Sequence, residues 1–237
     1  MAAGPVLAMG LGMPALGQDS HGAAALAETV GARNEVAFAF EHAGLPVPKY
    51  RLTIREDGTA VYEGEALPLV SSRYASAPLP TQPFRSDVNV SAATVARVLR
   101  LAQGTNRFNV TCASKAKNIA DTGNKTLTYS GRDGQGSCTY NYTENKDVAQ
   151  LTEIFQSIAE TMDEGRRLDY LHRYDRLGLD AAITFLAQEL AAGHALEVGT
   201  IAESLRSIAT DAEVMERVRN RANTLLALVP ADSASQR

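Results

Sequence analysis

The chain has 237 residues, 45% hydrophobic and 21% charged, with a net charge of -4 and a pI near 5.6. Its length and apolar share are those of one large or two small globular domains and exclude a disordered chain. The acidic balance argues against a nucleic-acid binder, whose phosphate contacts need a basic face, and with 6% aromatics and no Trp the chain is poorly supplied with stacking platforms for bases or sugars.

Residues 1–17 carry no charge, and Gln18, Asp19 and Ser20 then turn abruptly polar. Ala15 and Gly17 are the small residues that a signal-peptidase cut after Gly17 would need, although the basic start of a signal peptide is missing. The expectation is a signal peptide over 1–17 followed by a flexible segment over 18–33. The run is shorter than the ~20 residues that cross a bilayer and is broken by Pro5, Gly10, Gly12 and Pro14. No later stretch is apolar enough to span one, so no transmembrane segment is expected in the mature chain.

Val36, Phe38 and Phe40 alternate with Ala37, Ala39 and Glu41, the period of a half-buried strand. Tyr50, Leu52 and Ile54 repeat the pattern up to Asp57-Gly58, a pair suited to a tight hairpin, and Ala60, Val61 and Tyr62 return. Between Ala66 and Phe84, Pro68, Pro78, Pro80 and Pro83 each remove a ladder donor, which predicts a long loop. Ser91 is placed to cap a helix with Val95, Val98, Leu99 and Ala102 on one face and Gly104 at its end.

Phe108, Val110 and Cys112 alternate as a further strand, and a polar stretch leads to a second hairpin. There Leu127 and Tyr129 rise, Gly131-Arg132-Asp133-Gly134 turns, and Cys138, Tyr140 and Tyr142 descend, with Ser137, Thr139, Asn141 and Thr143 facing outward. Cys112 and Cys138 are the only cysteines, each at an inward-reading position, which predicts a disulfide and hence an oxidising compartment. Two buried thiols are the alternative. From Asp147 the period becomes 3.6: Leu151, Ile154, Phe155, Ile158 and Met162 form one stripe, with Asp147 and Gln150 spaced like a capping box. Leu179, Ile183, Leu186 and Leu190 form a second, closed by Gly193; Ile201, Leu205 and Ile208 a third; Val214, Val218, Ala222 and Leu225 a fourth. The fold class expected is α+β: an antiparallel sheet built from hairpins with packed helices over 34–163, a small helical module over 164–229, and a disordered tail over 230–237.

The succession of Asp-Gly hairpin, Ser-capped helix, second Asp-Gly hairpin ending in aromatics, and amphipathic helix, over residues 50–64, 91–101, 121–142 and 151–158, resembles small α+β domains of unknown function in exported bacterial proteins. The resemblance covers about half the chain. It implies an α+β domain with an antiparallel sheet and brings no catalytic residue with it.

The most charged stretch, 164–176, holds the candidate ligand residues. Arg166 and Arg173 lie seven apart and share a helix face, where forked hydrogen bonds would hold a phosphate or carboxylate, with His172 beside them. The plainer reading is an exposed helix with Asp163–Arg167 and Asp169–Arg173 pairs. His172 and Asp175 have the spacing of an acid/base dyad, but no nucleophile accompanies them. His21, His42, His172 and His194 are scattered without metal-ligand spacing, and no cofactor fingerprint occurs. Sequons at Asn89, Asn109, Asn124 and Asn141 matter only in a eukaryotic secretory protein. The expected function is therefore that of an exported, non-enzymatic protein, periplasmic or secreted, that binds a protein or an envelope component. The alternatives are a hydrolase using His172 and Asp175, and a cytoplasmic location.

Overall fold

The computed structural model describes Met1, residues 33–69 and residues 80–229. The expected leader beyond Met1, the segment 18–32 and the tail 230–237 lie outside the described residues. Arg33, at the edge of that segment, is ion-paired with Asp57.

Alternating side chains build β1 (Glu35–Glu41), β2 (Lys49–Arg55), β3 (Thr59–Ala66), β4 (Gln82–Asn89), β5 (Asn124–Gly131) and β6 (Gly134–Tyr140). They form one antiparallel sheet in the order β4-β3-β2-β1-β5-β6. The register puts Phe38 opposite both Leu52 and Leu127, so one face collects the buried Val36, Phe38, Leu52, Ile54, Tyr62, Leu127 and Tyr129. The other face carries Lys49, Arg51, Glu63, Thr126 and Thr139; the last two share a hydroxyl hydrogen bond of 2.9 Å.

Two strand expectations change. The proline-rich loop ends sooner than the prolines imply, because β4 is an edge strand: Pro83 sits opposite Glu65, and a missing donor costs little at an edge. The strand expected at 108–112 does not form. After helix α1 (Ala92–Gly104), a 3-10 turn at Asn106–Phe108 has positive φ at all three residues, a conformation no strand can include. Phe108 is nonetheless fully buried, inserted into the core from a turn. Cys112 follows in irregular chain and is disulfide-bonded to Cys138 on β6.

Ser91 caps α1 as expected, its Oγ accepting the Thr94 N–H at 3.3 Å. Helix α2 (Lys146–Tyr174) is capped by Asn145, whose side-chain oxygen accepts from the Asp147 and Val148 N–H groups at 3.0 and 3.2 Å, so the cap precedes the expected box at Asp147. α2 runs without a break through the expected boundary at 163/164. Val148, Leu151, Phe155, Ile158 and Met162 belong to the core between the sheet and α1. Leu168 belongs to a second core with α3 (Leu179–Ala192), α4 (Ala202–Thr210) and α5 (Glu216–Leu226). α3 ends at Gly193, whose φ of 77° is the left-handed stop that glycine permits at a helix end. No helix among the described residues is long and apolar enough to cross a membrane.

Candidate functional site

The C-terminal half of α2 is bounded on one side by edge strand β4 and on the other by the 3-10 turn Val198–Ile201 and α4. Between them lies a cleft of about 790 Å³. Arg166, His172 and Arg173, singled out from the sequence, all line it, together with Asp169 and Arg176. Ser86 and Asp87 of β4 and Ser204 and Ser207 of α4 form its other walls. The residues of α2 meet there because positions three, four and seven apart share one helical face.

The charges around the cleft are mostly committed. Arg166 Nη1 donates to Asp163 Oδ1 at 2.9 Å, and its guanidinium lies 4.3 Å from the centre of the Phe84 ring. Tyr62 OH donates to the same Asp163 oxygen at 3.0 Å, tying the sheet to α2. Burial pushes the Asp163 carboxyl up to about 6, against the opposing pull of Arg166 and Tyr62. Arg176 pairs with Asp211 at 3.3 Å and also with Glu213. The ion pairs of this helix join Asp163 to Arg166 and Glu164 to Arg167, three residues apart, rather than the expected Asp163–Arg167 and Asp169–Arg173. Arg173 is exposed and makes no ion pair among the described residues; its guanidinium only approaches the Tyr174 ring, at 5.8 Å.

The His172–Asp175 dyad is not formed. Asp175 terminates α2, and its Oδ1 accepts the Gly178 N–H at 3.3 Å. The carboxylate that meets His172 is Asp211, with Nε2 to Oδ2 at 2.9 Å. The Glu213 N–H and then His172 hold the Asp211 carboxyl below its usual range. Ser204 and Ser207 line the cleft, but neither hydroxyl is hydrogen-bonded to His172, so no nucleophile–base pair is assembled among the described residues. The partners Asp211 of His172 and Tyr62 of Asp163 escaped the sequence reading for a simple reason: Asp211 lies 39 residues from His172, and Tyr62 lies 101 from Asp163, too far apart for any local period to connect them.

Two of the four sequons have their amide nitrogens engaged. Asn109 Nδ2 donates to the Asn106 and Gln135 carbonyls, and Asn141 Nδ2 to that of Ala120. The chain matches no protein-family model and no curated protein.

Proposed function

We propose that the chain is an exported, non-enzymatic protein that works by binding, and that its cleft receives a carboxylate or phosphate carried by a protein or an envelope component. The observation that carries this reading is the convergence of Arg166, His172 and Arg173 on one cleft where Arg173 has no acidic partner among the described residues. An unpaired guanidinium offers a planar fork of donors matched to such oxyanions. Asp87 and Asp169 share the lining and oppose an anion placed beside them. A periplasmic or secreted location is supported by the Cys112–Cys138 disulfide, since such bonds persist in oxidising compartments.

Calorimetric titration with inorganic phosphate, and with a short peptide whose terminal carboxyl is free or amidated, tests the reading. Binding of phosphate or of the free-acid peptide is expected, weakened about fivefold to tenfold in Arg173→Ala. No binding, or equal affinity in the variant, refutes it. Hydrolysis is the second reading, favoured by the His172–Asp211 contact beside Ser204 and Ser207. Ester hydrolysis that disappears in His172→Ala would establish it in place of the first.

A further inference from the structure

A second cavity, of about 500 Å³, lies where α2 faces the ends of β1 and β2 and the chain that follows β3. Leu45, Leu67 and Leu69 stand around it with 36%, 38% and 41% of their surfaces exposed, so three of the exposed large apolar side chains gather at one opening. Three such side chains at one opening stand apart from singly scattered surface leucines. The volume also falls within the ~300–1,000 Å³ of small-molecule sites.

The polar wall, from α2, is not neutral. Asp163 is matched by Arg166, and Glu164 by Arg167. Glu160 is left over: half-buried, it makes no hydrogen bond or ion pair among the described residues. A neighbouring recess of about 530 Å³ shares Glu160 and adds Glu153 and Glu189. Its single basic group, His194, sits 3.1 Å from Glu189. Apolar surface on one side and an uncompensated carboxylate on the other define the chemistry of an occupant.

We propose that this cavity binds a hydrophobic amine, an alkylammonium whose chain lies against Leu45, Leu67 and Leu69 and whose charged nitrogen meets the Glu160 carboxylate. An anion would be repelled by Glu160 and its neighbours. A neutral ligand of the same shape would cover Glu160 without satisfying it, and burying an unpaired carboxylate is costly. Burial, and then the negative charges of Glu164 and Asp163, already hold the Glu160 carboxyl above its usual range, a condition that an ammonium at hydrogen-bond distance relieves. The site does not rest on the anion site at Arg173, and either can fail alone.

Calorimetric titration of the full chain with hexylammonium chloride, hexanol and sodium hexanoate tests the assignment. Hexylammonium is expected to bind more tightly than hexanol, and hexanoate not at all. Glu160→Gln, checked by its unfolding temperature to be folded, should weaken hexylammonium about fivefold and leave hexanol as tight or tighter, since the unpaired carboxylate that hexanol would cover is gone. Leu67→Asn should weaken both. On the unmodified chain, added salt should lower hexylammonium affinity without touching hexanol, a readout that needs no variant. Hexanol binding as tightly as hexylammonium, an indifferent Glu160→Gln variant, or no binding of any probe would overturn the proposal.

Discussion

Asp163 concentrates the electrostatics of the molecule in one side chain. It accepts from Tyr62 on the sheet and from Arg166 on its own helix, and it lies in the low-dielectric seam between them. Its carboxyl titrates near 6 rather than near its ordinary 3.8. Between those values the folded chain holds a proton that the unfolded chain has lost. Stability therefore falls as pH rises through that window, by something on the order of 3 kcal/mol, and the cost is complete above it. Asp163→Asn cannot ionise but keeps an acceptor for Tyr62. The unfolding temperature of the unmodified chain should therefore rise relative to the variant as pH is lowered from about 7 to about 4. A constant difference across that range would show that the buried carboxyl does not titrate there. Glu160 and Glu164 are also held above their usual range by burial; Glu160 is raised in part by the Asp163 charge itself, so its contribution to the difference has the same sign.

Lys125 is the opposite case, a buried cation that is fully satisfied. Its ammonium donates to the carbonyls of Thr122, Gly123 and Asn141 at 2.7, 3.2 and 2.9 Å, and burial lowers its pKa. An alternating strand would place an apolar residue there. The lysine instead fastens the irregular chain ahead of β5 to the end of β6.

At the scale of elements, α2 decides how the two cores are joined. Its apolar stripe faces the sheet, yet Ser157, Thr161 and Gly165, four residues apart, are also buried. This row of small residues receives the chain between α3 and α4. The Leu196 N–H donates to the Ser157 carbonyl at 3.1 Å, Thr161 Oγ1 donates to the Leu196 carbonyl at 2.6 Å, and a Cβ on Gly165 would overlap the Ile201 side chain. Glycine serves here as absent volume. Gly165→Ala should accordingly cost about 1–3 kcal/mol in denaturant unfolding, and Ile201→Ala in the same chain should recover part of that loss. Additive losses in the double variant would mean that the two residues are not in contact.

At the scale of the molecule, two further long-range ties among the described residues act beside the Tyr62–Asp163 bond. Glu197, just ahead of the turn at Val198–Ile201, reaches the start of α1. Its carboxylate accepts from the Ser91 N–H at 2.8 Å, from Ser91 Oγ at 2.6 Å, and from the Thr94 hydroxyl. A negative charge at a helix N-terminus is favourable there. The disulfide is the second tie, joining the irregular segment after α1 to β6. Closing that loop stabilises by roughly 3–4 kcal/mol in the chain-entropy account. Reduction should lower the unfolding free energy by about that amount and raise the mass by two hydrogen atoms. Because α2 and the Glu197 clamp bind the cores to each other, the reduced and oxidised forms should each unfold in one transition, seen at the same midpoint by far-ultraviolet circular dichroism and tyrosine fluorescence. Separate midpoints would mean that the two cores are independent.

Periodicity and turn chemistry, both local, were enough to place β1, β2, β3, β5 and β6, the cap at Ser91, the stop at Gly193 and the apolar stripes of the helices. A side chain's alternation or 3.6-residue spacing is set by its own backbone, so it can be read without knowing the partner. Pairing Cys112 with Cys138 was also legible, although the strand expected around Cys112 gives way to a left-handed turn at Asn106–Phe108. What required the folded chain was every relation spanning tens of residues: the edge position that admits Pro83 into β4, the replacement of Asp175 by Asp211 at His172, and the seating of the Leu196–Ile201 chain on Ser157, Thr161 and Gly165. Those contacts join residues whose local patterns are silent about each other. Strand pairing brings the first within reach, and the packing of α2 between sheet and helices brings the others and opens the cavities along its sides.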